Sequence, residues 1–323
     1  MIALTQAVRK QYTLSQGAYA KRAEVVAKIP NFWPLVVERA PPEIDQYIQP
    51  QDSQILGESL TNIEVTRPEI AVGPENIASG KQGNPKTISI TFTFKPNDFF
   101  SNTTLTKTFH QRRSKDGWTG LVSEPVKIDW KKGKDLSEGL TDMAVALFEA
   151  RKKTGDFLAK GPPEYTTLKK KLETANGMNT SFFTWFGFVS GVRYVTAEES
   201  AKADEEFAAK KAERSGGKAA VQQETQDEED EEYPDDDTEV EVHESGENIA
   251  IALADDLWPG AIRYFTEAQE MDEMSELDFE EMDDDSDEGE PVDIRALVQE
   301  KGGKGAGRKA SGSGAPPSKK QKK

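Results

Sequence analysis

Residues 224–247 contain fourteen Asp/Glu and no Lys/Arg, and residues 267–290 contain fourteen more with no base. No other feature constrains the fold of this 323-residue chain as strongly. Like charges at that density repel one another, and too few apolar residues accompany them to offset the entropy of ordering the chain. Both runs are expected to stay solvated and unfolded. Residues 301–323 hold eight Lys/Arg and no acid, in a Gly-, Ser- and Lys-rich stretch that also cannot form a core. The remainder carries 30 acids against 33 bases, so the net charge of −17 is confined to the two blocks. With 35% hydrophobic residues overall, a core can form only outside them.

Between the blocks lies ADDLWPGAIRYFTEAQ, residues 254–269, with a helical apolar pattern divided by Pro259. It reads as the last piece of the domain core, with Leu257, Trp258, Ile262 and Phe265 as buried anchors. On this reading the first acidic run is a loop that leaves and re-enters the fold, and the second is a tail.

The rest of the core is read from periodicity. Residues 1–28 form one helix, with Leu4, Val8, Tyr12, Tyr19, Ala23 and Val26 along one face. Prolines at 30, 34, 41 and 42 break the following stretch into short helices. The period then becomes two. TISITFTFK alternates Ile88, Ile90, Phe92 and Phe94 with Thr and Ser, TLTKTFHQR alternates Leu105, Lys107 and Phe109 with Thr, and PVKIDWK alternates Val126, Ile128 and Trp130 with Lys and Asp. NIEVTR at 62–67 supplies a shorter strand. Four consecutive strands with short, turn-rich links predict an antiparallel meander whose apolar face needs a helical layer. Helices return from Leu136, SFFTWFGF forms an aromatic cluster at 181–188, and 196–214 reads as a solvent-exposed helix.

Catalytic chemistry has little to stand on. The chain has no cysteine and only His110 and His243, the first in a strand pattern and the second in an acidic loop. Disulfides, thiol catalysis and Cys-type zinc sites are excluded, and no motif supports a triad or a two-His metal site. GGKGAGRKASGSG lacks the Gly-Lys-Ser/Thr ending of a phosphate loop. A calcium-loop register starting at Asp284 puts Gly289 correctly, but places Arg295 where a bidentate Glu belongs. No apolar stretch approaches membrane-spanning length. No catalytic residue, metal site or cofactor is therefore expected. What remains is binding through charge: a polyanion beside a folded surface competes with nucleic acid for basic proteins. The basic ending PPSKKQKK, with Lys319, Lys320, Lys322 and Lys323, reads as a nuclear localisation signal.

Five stretches in order carry a family resemblance: KRAEVVAKIPNFW (21–33), TFTFKPNDFFSNTTLTKTF (91–109), SEPVKIDWKKGKDL (123–136), SFFTWF (181–186) and ADDLWPGAIRYF (254–265). Together they resemble the nucleosome assembly protein (NAP) family, and within it the SET branch and the fungal Vps-named chaperones. The resemblance implies an α+β fold, in which a dimerisation helix precedes an earmuff domain with a four-stranded antiparallel sheet covered by helices. It divides the chain into residues 1–28 (dimerisation helix), 29–200 with 247–272 (earmuff domain), 201–246 (acidic insert, largely disordered) and 273–323 (acidic tail ending in the basic signal). The family's dimerisation helix is usually longer than 1–28, which leaves an incomplete N-terminus or a shorter contact open.

The implied function is that of a non-enzymatic histone chaperone for the H3–H4 and histone 2A–2B pairs. It would be homodimeric and nuclear, with cytoplasmic shuttling allowed. A histone acetyltransferase is an implied partner, and neither sequence-specific nucleic-acid binding nor membrane association is. A scaffold or regulator of a chromatin enzyme, with histone affinity secondary, is the alternative. The carboxylates expected to bind histones are Asp255 and Asp256, then Glu247, Glu267, Glu270, Asp272 and Glu273. Leu4, Val8, Tyr12, Tyr19 and Val26 are the expected dimerisation residues.

Overall fold

The computed structural model describes residues 2–70, 83–175, 181–216 and 240–271. Helix α1 (Ile2–Val26) is followed by α2 (Phe32–Glu38), α3 (Pro42–Asp45) and α4 (Pro50–Ser59). Proline occupies the first turn of both α3 and α4, where its missing N–H is no loss. The sheet comprises β1 (Leu60–Thr66), β2 (Ile88–Phe94), β3 (Thr104–Arg113) and β4 (Thr119–Ser123), in the order β1-β2-β3-β4 with every described pairing antiparallel. This is the expected α+β meander. After it come α5 (Leu140–Thr154), α6 (Pro163–Ala175), a 3-10 segment (Phe182–Gly187), α7 (Ala197–Gly216) and α8 (Gly246–Ala252). A π-helical turn (Leu253–Leu257) then leads to helix α9 at 261–271.

One strand lies elsewhere than its pattern predicts. Residues 125–131 alternate correctly and pack into the core at Ile128, but among the described residues they pair with no strand and form one isolated bridge, Phe100–Trp130. Their backbone is taken up by loops, with Val126 N–H donating to Phe186 O at 2.8 Å and Lys131 N–H to Phe99 O at 2.7 Å. The fourth strand is instead the shorter TGLVS, reached by a tight turn in which Gly117 adopts φ 103° and Ser114 N–H donates to Trp118 O. Only a residue without Cβ takes that conformation cheaply.

The apolar face of the sheet is covered by the 3-10 aromatic segment. Phe182, Phe183, Trp185, Phe186 and Phe188 are all at most 2% exposed. Phe109 stacks on Trp185 at 5.4 Å, and Phe92 meets Phe186 edge-on at 5.9 Å, both favoured ring geometries. Buried Asp52 fixes where this segment starts, accepting from Ser181 Oγ and from Phe182 N–H at 2.7 Å, and from Gln49 N–H of its own helix cap at 3.0 Å. Trp185 Nε1 donates to Gly246 O at 2.9 Å, and a Cβ on Gly246 would strike the Phe188 ring. The aromatic segment therefore holds both α4 and α8.

Lys107 breaks the apolar face. It points inward from β3 with no exposure, and its Nζ donates to Phe188 O at 2.8 Å, Phe186 O at 3.0 Å and Glu124 O at 3.2 Å. Those three acceptors match the three donors of an ammonium. Glu241 supplies a nearby negative charge, and its carboxylate accepts from four backbone N–H groups: Val189, Ser190, Val242 and His243. Burial alone pushes the Lys107 ammonium down and the Glu241 carboxyl up. The Glu241 charge opposes the first shift, and the backbone hydrogen bonds to Glu241 together with the Lys107 charge oppose the second.

The folded chain thus resumes before residue 247. Val242 and His243 are buried at 5% and 4% exposure, Val240, Glu241 and Ser245 are half-buried, and Glu244 is exposed. This end of the acidic block belongs to the domain because Glu241 is hydrogen-bonded and its neighbours are apolar. α7 likewise extends the folded part past residue 200, anchored by Arg113–Asp204 at 2.9 Å and by the Arg113 guanidinium 4.1 Å over the Phe207 ring.

Lys107→Met should destabilise the domain by about 3–5 kcal/mol, because it strands Glu241 and three carbonyls in the interior. Adding Glu241→Gln should recover part of that loss. Urea unfolding of the two variants beside the parent chain checks both statements.

Candidate functional site

The segment expected to carry the site is built from α8, the π turn and α9. Leu253, Ala254, Leu257, Ala261, Tyr264 and Ala268 are buried, so one face of the segment closes the core. The extra residue of a π turn rotates the following side chains, and such turns recur at functional positions. Here it sets Asp255 and Asp256 outward while Leu257 goes in.

Of the four expected anchors, Leu257 is fully buried and Phe265 is half-buried, stacked on Phe32 at 4.9 Å. Trp258 is also half-buried. Its Nε1 donates to Ile63 O at 2.9 Å, which occupies a carbonyl on the open edge of β1. Ile262 is not an anchor: it is 58% exposed. Pro259 and Gly260 shift the helical phase, so Ala261 and Tyr264 turn inward in its place.

Trp258 also holds α1. Its ring lies 4.4 Å from that of Tyr19, and the Arg22 guanidinium sits 4.7 Å from the Tyr19 centroid and 4.4 Å from the Trp258 centroid. Arg22 further donates to Trp258 O at 2.6 Å. Tyr12 accepts from Arg67 N–H at 3.1 Å, and Val26 is 5% exposed in the core. The stripe expected to pair with a second helix thus faces its own domain at Tyr12, Tyr19 and Val26. Val8 is half-buried, and the Leu4 side chain lies outside the described residues. The outward stripe of α1 is Ala7, Leu14, Ala18 and Val25, with Leu14 at 73% and Val25 at 59% exposure.

The expected carboxylates are exposed but mostly paired. Asp255 accepts from Arg67 at 2.6 Å and is 59% exposed. Asp256 binds Arg263 at 3.0 Å and accepts from Tyr264 Oη at 2.8 Å. Glu267 lies 3.9 Å from the same Arg263, and Glu270 is exposed. Glu247 is half-buried, and burial raises its carboxyl above the usual range against a backbone hydrogen bond from Leu121. Asp272, Glu273, Lys319, Lys320, Lys322 and Lys323 lie outside the described residues.

A second acidic face went unnoticed in the sequence. Residues 38–58 hold five acids and one base, and Glu38, Glu43, Asp45 and Glu58 are exposed without an ion pair among the described residues. The prolines there report backbone breaks, and five acids spread over 21 residues make no charge run that a local pattern would single out. Among the described residues no group of three or more His, Cys, Asp and Glu could hold a metal ion, and no helix is long and apolar enough to cross a membrane.

His243 is the unusual titratable group. Its ring is buried against Tyr47 at 4.7 Å, and among the described residues neither nitrogen has a hydrogen-bond partner. Burial first, then the Lys107 charge, push its pKa down to about 4.

This fold, with a charged segment on its returning helices, matches one family model. The nucleosome assembly protein (NAP) model covers residues 5–268, and the chain belongs to that family. Among its relatives, a Schizosaccharomyces pombe protein named for nucleosome assembly is 28% identical over 287 residues, covering 85% of this chain and 79% of that one. Human Protein SETSIP is 33% identical over 130 residues, covering 40% of this chain and 38% of its own length. A solved structure of the Vps75 histone chaperone aligns over 83% of this chain and 92% of that one, with 18% identity and a TM-score of 0.46.

A neutral buried His243 makes acid stability testable. Its folded pKa lies below the unfolded value of about 6.5, so protons favour the unfolded chain as pH falls from there to about 4. His243→Phe should abolish up to about 3 kcal/mol of the parent's loss over that window. Urea midpoints at pH 7 and pH 4.5 for both chains provide the measurement.

Proposed function

We propose that this chain is a non-enzymatic histone chaperone, carried by one observation: a member of the nucleosome assembly protein family places two base-free acidic blocks on either side of the segment that closes its core. Its cargo is the core histone pairs, H3–H4 and histone 2A–2B. The acidic blocks attract histones at long range and screen them from nonspecific DNA contacts. Asp255, Asp256, Glu267 and Glu270 supply fixed charge beside them, with Asp272 and Glu273 next in sequence. The Asp256 ion pair favours exchange, since exposed pairs contribute about 0–1 kcal/mol and a histone arginine can replace the exposed Arg263 at little cost, whereas Asp255 offers its exposed carboxylate while its partner Arg67 stays largely buried. The half-buried Glu247 is a weaker candidate.

The protein acts in the nucleus, with Lys319, Lys320, Lys322 and Lys323 as import signal, and it assists a histone acetyltransferase. It works as a homodimer. The residues best placed for pairing are Ala7, Leu14, Ala18 and Val25, whose spacing gives α1 an outward apolar stripe.

The purified chain alone should keep histone–DNA mixtures soluble, with affinity for each histone pair falling steeply with salt. Activity only in the presence of an added acetyltransferase would favour a scaffold instead. Asp255→Asn with Asp256→Asn should weaken histone binding about threefold to tenfold while the melting temperature moves little, as anisotropy titrations would detect.

Leu14→Asp with Val25→Asp should give a monomer mass by light scattering, whereas Tyr12→Phe should leave the dimer intact. A dimer mass for the double variant removes this stripe from the interface.

A further inference from the structure

The acidic face of α2, α3 and α4 contains a groove that the fold does not use. It holds about 290 Å3, is floored by Val37, Ile48 and Leu56, and is edged by Glu38 and Asp45. Among the described residues, no lysine or arginine lines it. Val37 and Leu56 belong to the core at 7% and 3% exposure, so the floor is continuous with the core, while Ile48 is half-buried. The volume lies at the lower end of small-molecule sites, about 300 Å3, and suits one side chain better than a cofactor.

Gly57 lines the same groove. It lies within α4, where glycine costs about 1 kcal/mol relative to alanine. Its φ is not positive, and an added Cβ would meet nothing within 4 Å. Neither a turn nor a close approach within the chain calls for glycine there. Its missing side chain leaves open space at this side of the groove.

We propose that this groove anchors a single bulky apolar side chain flanked by lysine or arginine on the bound basic protein, an inference that rests on the histone-chaperone reading. The floor provides burial, and Glu38 and Asp45 meet the flanking cations. A neutral apolar partner would desolvate those carboxylates without compensation, and a purely basic one would leave the floor unused. The groove thus adds a short-range, shape-dependent contact to the long-range attraction of the acidic blocks, and fixes the register of the cargo.

The test uses the full chain and two labelled peptides, Lys-Lys-Arg-Leu-Lys-Lys and the same sequence with Ala for Leu. The Leu peptide should bind about fivefold to tenfold tighter, a ratio set by apolar burial and therefore insensitive to salt, while both affinities fall with salt. Gly57→Leu should fill the groove and bring the ratio to about one, leaving the Ala peptide unchanged. Ile48→Ala, which removes apolar contact area from the floor, should lower the ratio and guards against a Gly57→Leu chain that fails to fold. Glu38→Gln with Asp45→Asn should weaken both peptides about threefold and keep the ratio. A ratio near one in the parent, or a parent-like ratio in Gly57→Leu or Ile48→Ala, overturns the groove. Core histone pairs are titrated in parallel: a parent chain that binds neither pair defeats the chaperone reading, whereas pairs that bind with a flat peptide ratio defeat only the groove.

Discussion

The Lys107 ammonium is the interaction on which the rest of this architecture depends. It lies on the apolar face of the central strand pair and is satisfied by carbonyls of Phe186, Phe188 and Glu124. Those acceptors belong to the aromatic 3-10 segment and to the chain leaving β4. One side chain thereby fastens the covering layer to the sheet, and its charge favours the return of Glu241 at the end of the acidic excursion. A buried charge is unfavourable by several kcal/mol unless paired and hydrogen-bonded, so the surrounding backbone has few alternative arrangements. The consequence is positional. Glu241 fixes Val242 and His243, Gly246 accepts from Trp185, and α8 begins where the π turn can present Asp255 and Asp256.

The acidic character divides into two kinds. The two blocks owe their field to density of charge, whereas carboxylates on the folded surface are held at set positions and several already have a cationic partner. Arg67 and Arg263 hold Asp255 and Asp256 in place, the first from a largely buried position and the second from the surface. By contrast, Glu38 and Asp45 have no ion pair among the described residues and edge an apolar floor. A surface that binds a polycation can use both, the first through exchange of ion pairs and the second through direct complementarity.

Much of the fold was legible in short windows of sequence. Ile88, Ile90, Phe92 and Phe94 alternate with Ser and Thr, and all four are buried at 3% or less. The same logic failed for Val126, Ile128 and Trp130, because alternation reports a half-buried extended segment and does not say what pairs with it. Helical spacing correctly grouped Tyr12, Tyr19 and Val26 on one face but could not say what that face meets. Ile262 was misjudged because Pro259 and Gly260 reset the helical phase, so spacing counted across them does not hold.

By itself, the sequence determined the segregation of acid into two base-free blocks, the period-two strands, the aromatic covering segment and the family to which the chain belongs. Each of these is a property of neighbouring residues or of composition. Only the tertiary structure decided which charges are masked, which stripe of α1 is free, that His243 is buried and neutral, and that a groove opens beside Gly57. These depend on contacts between residues far apart in the chain: 188 positions for Arg67 with Asp255, and 195 for Trp258 with Ile63. No local pattern encodes such a pair, because the partner is chosen by how the layers stack. The physical reason is that burial and charge pairing are properties of a place in space, and the fold assigns those places.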